Sequence, residues 1–144
     1  MKSYYVDSCI YLNLWQEEVD ERTGVAYWKF AKEFFDRVED ENSVIYYSGF
    51  LLKELKYILT EDEFNNKKEL FENTLSFKRI VLLRDEFQEA RKIELETEFE
   101  ISFYDIIHML LARKSNSILV TRDNKLLEIA KRYSVNAKKP EEVL

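Results

Sequence analysis

Four short runs rich in β-branched and aromatic residues, Ser3–Val6, Val44–Tyr47, Phe77–Leu82 and Ser117–Val120, are each followed by a stretch of helical spacing. That alternation constrains this chain more than any other feature. Strands that alternate with helices need crossover connections, so they form a parallel sheet with helices on both faces. The expected helices are Ser8–Trp15, Val25–Glu39, Phe50–Leu59, Thr60 to about residue 73, Asp85–Glu96, Ser102–Lys114 and Asn124–Tyr133. Thr60-Glu61-Asp62-Glu63 has the form of a capping box. Val135–Ala137 is expected to add an edge strand before a polar tail. The fold expected is a three-layer α/β/α arrangement around a parallel sheet of four to five strands.

Composition narrows the class. With 144 residues the chain suits one domain, residues 1–144, and two glycines and one proline argue against a turn-rich β-sandwich. No segment approaches the ~18 uncharged apolar residues of a membrane span. The N-terminus MKSYYVDSCIYL lacks the basic and long apolar regions of a signal peptide. Cys9 is the single cysteine, so no internal disulfide forms, which fits a reducing cytoplasm. The net charge of −6 is uneven: residues 113–139 carry eight Lys/Arg against Asp123 and Glu128, leaving the rest of the chain at −12. Such a strip suits either solvated helix faces, the plainer reading, or a polyanion held at one face.

The stretch SILVTRDNKLL at residues 117–127 asks why a doubly buried strand should end on a hydroxyl, a cation and a carboxylate. Sites in parallel sheets gather at the carboxyl ends of strands. Asp7 follows the first strand and Asp123 the fourth, and each also suits an N-cap. Asp105, three residues after Ser102, suits an acidic capping box. Glu54 is harder to excuse. It shares the i, i+3, i+4, i+7 spacing of Leu51, Leu55 and Ile58, and a carboxylate in an apolar stripe needs a partner or a metal. A parallel sheet can bring all four acids to one rim. An all-oxygen cluster there selects Mg²⁺ or Mn²⁺, ions that orient phosphodiester oxygens and activate water.

Tyr4-Tyr5-Val6-Asp7-Ser8, the Glu54 helix, Ser102-Phe103-Tyr104-Asp105-Ile106-Ile107-His108 and Leu119-Val120-Thr121-Arg122-Asp123 stand in an order and spacing that resemble PIN domains, specifically stand-alone VapC-type toxins. The resemblance implies a metal-dependent endoribonuclease that hydrolyses RNA phosphodiesters with water, and a toxin that dimerises and is blocked by a separate antitoxin. Asp7, Glu54 and Asp105 match the family's three principal acids and Asp123 its more variable fourth. Thr121 and Ser8 match hydroxyls that help hold the water or metal network. The aromatic-rich 17–42 region departs from the family pattern, so nothing is carried over there. A non-catalytic RNA-binding or assembly domain, and a metal-dependent DNA nuclease on the same site, are the alternatives.

Other features point elsewhere. His108 lies among Ile107, Met109 and Leu110, which suits a packed or hydrogen-bonded histidine better than an Asp-x-x-His metal pair. A Cys9–His108 thiol dyad lacks an orienting group. Helical spacing of the aromatics suits core packing better than base stacking. No Gly-rich phosphate loop is present.

Overall fold

The computed structural model describes residues 2–143. The elements run β1 (Ser3–Val6), α1 (Ser8–Trp15), α2 (Tyr27–Asp40), β2 (Val44–Tyr47), α3 (Gly49–Ile58), α4 (Glu61–Asn73), β3 (Phe77–Arg79), α5 (Arg84–Glu96), α6 (Phe103–Lys114), β4 (Ile118–Val120), α7 (Asn124–Arg132) and β5 (Ala137–Lys138), followed by a 3₁₀ turn at Pro140–Glu142. The strands form one parallel sheet in the order β3-β2-β1-β4-β5.

Period-two alternation in the central strands divides the core. Tyr4, Val6 and Val120 face one cluster, built with Ile10, Phe34, Leu51 and Phe71 from α1 to α4. Tyr5 and Leu119 face the other, built with Ile93, Ile107, Leu111 and Ile129 from α5 to α7. The first cluster is markedly aromatic. Phe71 alone meets the rings of Tyr11, Trp15, Tyr47 and Phe77 at centroid distances of 4.9–6.3 Å. Each such pair contributes roughly 0.5–1.5 kcal/mol beyond area burial. Tyr11, Trp15, Phe35, Leu70 and Phe77 also border an apolar groove of about 770 Å³. None of the described helices is long and apolar enough to cross a membrane.

The Thr60 capping box forms as expected: the Glu63 N–H donates to Thr60 Oγ1 at 3.2 Å, and Glu63 Oε1 accepts from the Thr60 N–H at 3.0 Å. Four details differ from the sequence reading. β3 stops at Arg79 and not at Leu82, because after the Ile80 N–H bonds Tyr47 O the chain leaves the ladder and Lys114 Nζ takes the Val81 carbonyl. The last strand starts at Ala137. Ser134 adopts φ 58° and the Val135 N–H returns to Ala130 O at 2.9 Å, so Val135 closes α7 and packs in the core. α2 starts at Tyr27 because Val19 and Ala26 pair across an antiparallel bridge, which holds Val25 in the preceding loop. The tail is not simply polar, since Pro140 and Val143 are buried.

Candidate functional site

α1 leaves β1 on one face of the sheet and α7 leaves β4 on the other, so the chain splays apart at the carboxyl ends of two adjacent strands. That is where a crevice forms in a parallel sheet. Asp7 follows β1 and extends its ladder, its N–H donating to Val120 O at 2.9 Å. The capping explanation fails for its side chain, which makes no cap bond to α1. The carboxylate is 5% exposed and Oδ2 accepts from Thr121 Oγ1 at 2.8 Å. Thr121 also accepts from the Asp123 N–H at 3.2 Å. One hydroxyl therefore fixes the Asp7 carboxylate and the turn that carries Asp123. Thr121 is fully buried behind Asp7, not open to the cleft. Ser8 Oγ lies 3.5 Å from Asp7 Oδ1.

Asp123 does cap α7, but with one oxygen. Oδ1 accepts from the N–H groups of Lys125 and Leu126 at 2.9 and 3.2 Å, which leaves Oδ2 for other use. At α6 the capping box is half made. Ser102 Oγ accepts from the Asp105 N–H at 3.1 Å, while the Asp105 carboxylate makes no return bond. Burial and the neighbouring Asp7 charge push that carboxyl up to about 6; His108 opposes the shift, and Asp123 and Glu54 add to it.

Glu54 stands at the edge of its stripe. Leu51 and Leu55 are buried, but Ile58 is 54% exposed, so the apolar face ends one turn earlier than the spacing predicts. The carboxylate bonds His108 Nε2. His108 Nδ1 lies 2.6 Å from Tyr5 Oη, which lies 2.6 Å from Ser48 Oγ. Burial works against an imidazolium here, yet the hydrogen bond and charge of Glu54, with Asp7 and Asp105 beyond, raise the His108 pKa. One oxygen of Asp7, one of Glu54 and a ring nitrogen of His108 all lie within 4.8 Å of one another.

Asp7, Glu54, Asp105 and Asp123 thus line a single cleft of about 500 Å³. The 17–42 region supplies its wall through Glu18, Val19 and Tyr27. Arg122, between Thr121 and Asp123, ties that wall to the C-terminal turn: it is bidentate with Glu141 at 2.8 and 2.9 Å and stacks on the Tyr27 ring at 4.2 Å.

Contacts bear on two further features, the basic strip and Cys9. Of the eight basic residues in the strip, Arg113, Lys114, Arg122, Lys125 and Arg132 each pair with a carboxylate. These pairs favour the solvated-face reading over a polyanion track. Cys9 lies near Asp7 and Thr121, not bonded to His108, and burial followed by the Asp7 charge pushes its thiol far up. Its surroundings give no support to a Cys9–His108 dyad. The contact that sequence reasoning missed is His108 with Glu54. The i, i+3 spacing of Asp105 and His108 puts the ring on the face of α6 that carries Asp105, but nothing in the sequence pairs it with Glu54, 54 residues away.

No curated protein matches the sequence. Among solved structures the chain is similar to FitAcB from Neisseria gonorrhoeae, at 14% identity and TM-score 0.62 over 95% of this chain and 97% of that one. FitAB bound to an IR36 DNA fragment gives 14% identity and TM-score 0.61 over 96% and 95%. PAE2754 from Pyrobaculum aerophilum gives 21% and 0.53 over 99% and 93%. The PIN domain family model matches residues 4–132, a span that runs from the Tyr4 of β1 to the end of α7 and contains all four acids of the cleft. This chain belongs to the PIN domain family.

Proposed function

We propose that the protein is a metal-dependent endoribonuclease and the toxin of a toxin–antitoxin pair. The observation that carries this reading is the convergence of four carboxylates from four separate segments on one cleft, where burial first and the anionic neighbours second push the Asp105 carboxyl up to about 6. Like charges assembled this closely destabilise the fold unless a cation joins them. The donor set is suited to a hard divalent ion: carboxylate oxygens, with at least one oxygen of Asp123 outside the capping bonds. Family membership supports the same reading, since PIN domains are generally metal-dependent nucleases.

In this account Asp7, Glu54, Asp105 and Asp123 hold Mg²⁺ or Mn²⁺. The bound ion would supply charge stabilisation at phosphodiester oxygens and ready access to hydroxide at neutral pH. The chain's own residues do the positioning. Thr121 holds Asp7 in one rotamer, and the α7 amides hold Asp123. The buried floor beneath Asp7 keeps bulk water from the inner edge of the site. RNA as substrate, a homodimer, a cytoplasmic location and an antitoxin partner belong to the proposal and follow the VapC-type resemblance.

The test is incubation of the protein with RNA and with single-stranded DNA, in Mg²⁺, in Mn²⁺ and in chelator. Cleavage of RNA that needs the ion and is lost in Asp7→Asn, with the fold intact, is the expected result. Binding of RNA without turnover would favour the assembly reading, and preferential cleavage of DNA would change the substrate.

A further inference from the structure

We propose that His108 is a positioning residue for Glu54: the imidazole, oriented through Tyr5 and Ser48, donates its Nε2–H to the Glu54 carboxylate and holds it beside Asp7. The proposal rests on the nuclease reading of the cleft and adds to it a residue outside the four acids.

The hydrogens of this buried chain can be counted. Ser48 Oγ accepts from the Leu51 N–H at 3.2 Å, so its own proton is free for Tyr5 Oη at 2.6 Å. With the ring neutral, Tyr5 gives its one proton to His108 Nδ1 at 2.6 Å. The ring proton then sits on Nε2, facing Glu54. Every donor is used once. Run in the opposite direction, Ser48 would accept twice and donate to nothing while 1% exposed, an unfavourable arrangement for a buried hydroxyl. The chain therefore has a direction, and it points at the cleft.

The path also joins the right elements. It starts at an amide in the first turn of α3, crosses β1 through Tyr5 and α6 through His108, and ends on the α3 residue Glu54. Asp7 lies two residues beyond Tyr5, and Asp105 lies one helical turn before His108. Three of the four carboxylates thus stand on elements that this chain locks together. Tyr5 and His108 are fully buried, so solvent cannot substitute for the missing partners. A group that fixes a ligand in this way commonly alters metal affinity by 10–100-fold when removed. Packing alone would not require a donor aimed at a carboxylate.

The experiment uses the full chain and Mn²⁺ as the probe. His108→Phe keeps a ring and removes the donor, while His108→Gln places an amide N–H near the position of Nε2. Isothermal titration should show Mn²⁺ binding weakened about 10–100-fold in His108→Phe and within about threefold of wild type in His108→Gln. In a Glu54→Gln background, His108→Phe should change affinity less than about threefold, since the group it positions is gone. The chain has one histidine, so ¹⁵N NMR of the wild type gives an independent reading at pH 8. It should show a slowly exchanging Nε2–H that is lost or strongly shifted in Glu54→Gln. Folded His108→Phe with wild-type Mn²⁺ affinity overturns the proposal and leaves the nuclease reading standing. A ring protonated on Nδ1 with a bare Nε2 overturns it even if His108→Phe does not fold. A wild type that takes up no Mn²⁺ removes the nuclease reading, and the positioning role with it.

Discussion

The rim at the carboxyl ends of β1 and β4 and the aromatic cluster around Phe71 are both well packed, yet they are held by opposite physics. Around Phe71, rings from α1, α4, β2 and β3 attract one another, and burial itself stabilises the arrangement. At the rim, Asp7 and Asp105 are desolvated beside like charges, and the fold restrains Asp7 through Thr121, Asp123 through the α7 amides and Glu54 through His108. One region supplies stability and the other consumes some of it. A protein keeps such a cluster when the charges are used, which is the reasoning that separates a site from a core.

That contrast can be broken most easily on the apolar side. Phe71→Ala deletes a ring that is 1% exposed and should cost roughly 3–5 kcal/mol in urea unfolding. Cleavage by the protein that remains folded should be unchanged, because Phe71 lies on the aromatic groove side and not in the cleft. A loss below about 1 kcal/mol would mean the aromatic cluster is looser than its geometry.

The rim should respond to protons instead. Asp105 has a folded pKa of about 6 against an ordinary 3.8, so the folded state holds its proton more tightly. Its favourable contribution is complete below about pH 4 and is lost as pH rises through 6. His108 is raised as well, so the stability its pairing adds is also lost on rising pH. In chelator, these two groups should make the protein more stable at pH 5 than at pH 8, Asp105 alone contributing on the order of 1 kcal/mol. Urea unfolding at the two pH values measures it, and Asp105→Asn should shrink the difference.

The smallest effect is expected on the basic strip. Lys125 and Arg132 already pair with Glu100 and Glu128, so reversing both to Glu should change the log–log salt slope of RNA binding by less than the roughly 0.7 expected for one single-strand phosphate contact. A change of twice that value would restore the strip as an RNA track.

The sequence carried the elements themselves, because strand runs such as Val44–Tyr47 and helix patterns such as Ser8–Trp15 are set by local periodicity. It carried the four carboxylates too, since a parallel sheet dictates where Asp7 and Asp123 emerge. It did not carry the ends of β3 and β5, which depend on Lys114 capturing a carbonyl and on the left-handed turn at Ser134. Nor did it carry the partnership of His108 with Glu54, separated by 54 residues and meeting only once α3 and α6 pack on β1. The pairing of the basic strip is hidden for the same reason. Arg113 and Glu89 are 24 residues apart, and composition counts charges without seeing their neighbours.

The central claim is that the rim gives up stability for a cation. Asp105→Asn tests it most directly, through thermal melts at pH 7.5 with chelator and with saturating Mg²⁺. Without metal the variant should melt at or above the wild-type temperature, because the amide keeps the shape and removes one of the clustered charges. With Mg²⁺ at a hundredfold excess over its dissociation constant the wild type should gain about 2.7 kcal/mol, while the variant gains clearly less. A variant that is less stable than wild type in chelator and still gains fully from Mg²⁺ would make Asp105 a structural residue and contradict the account.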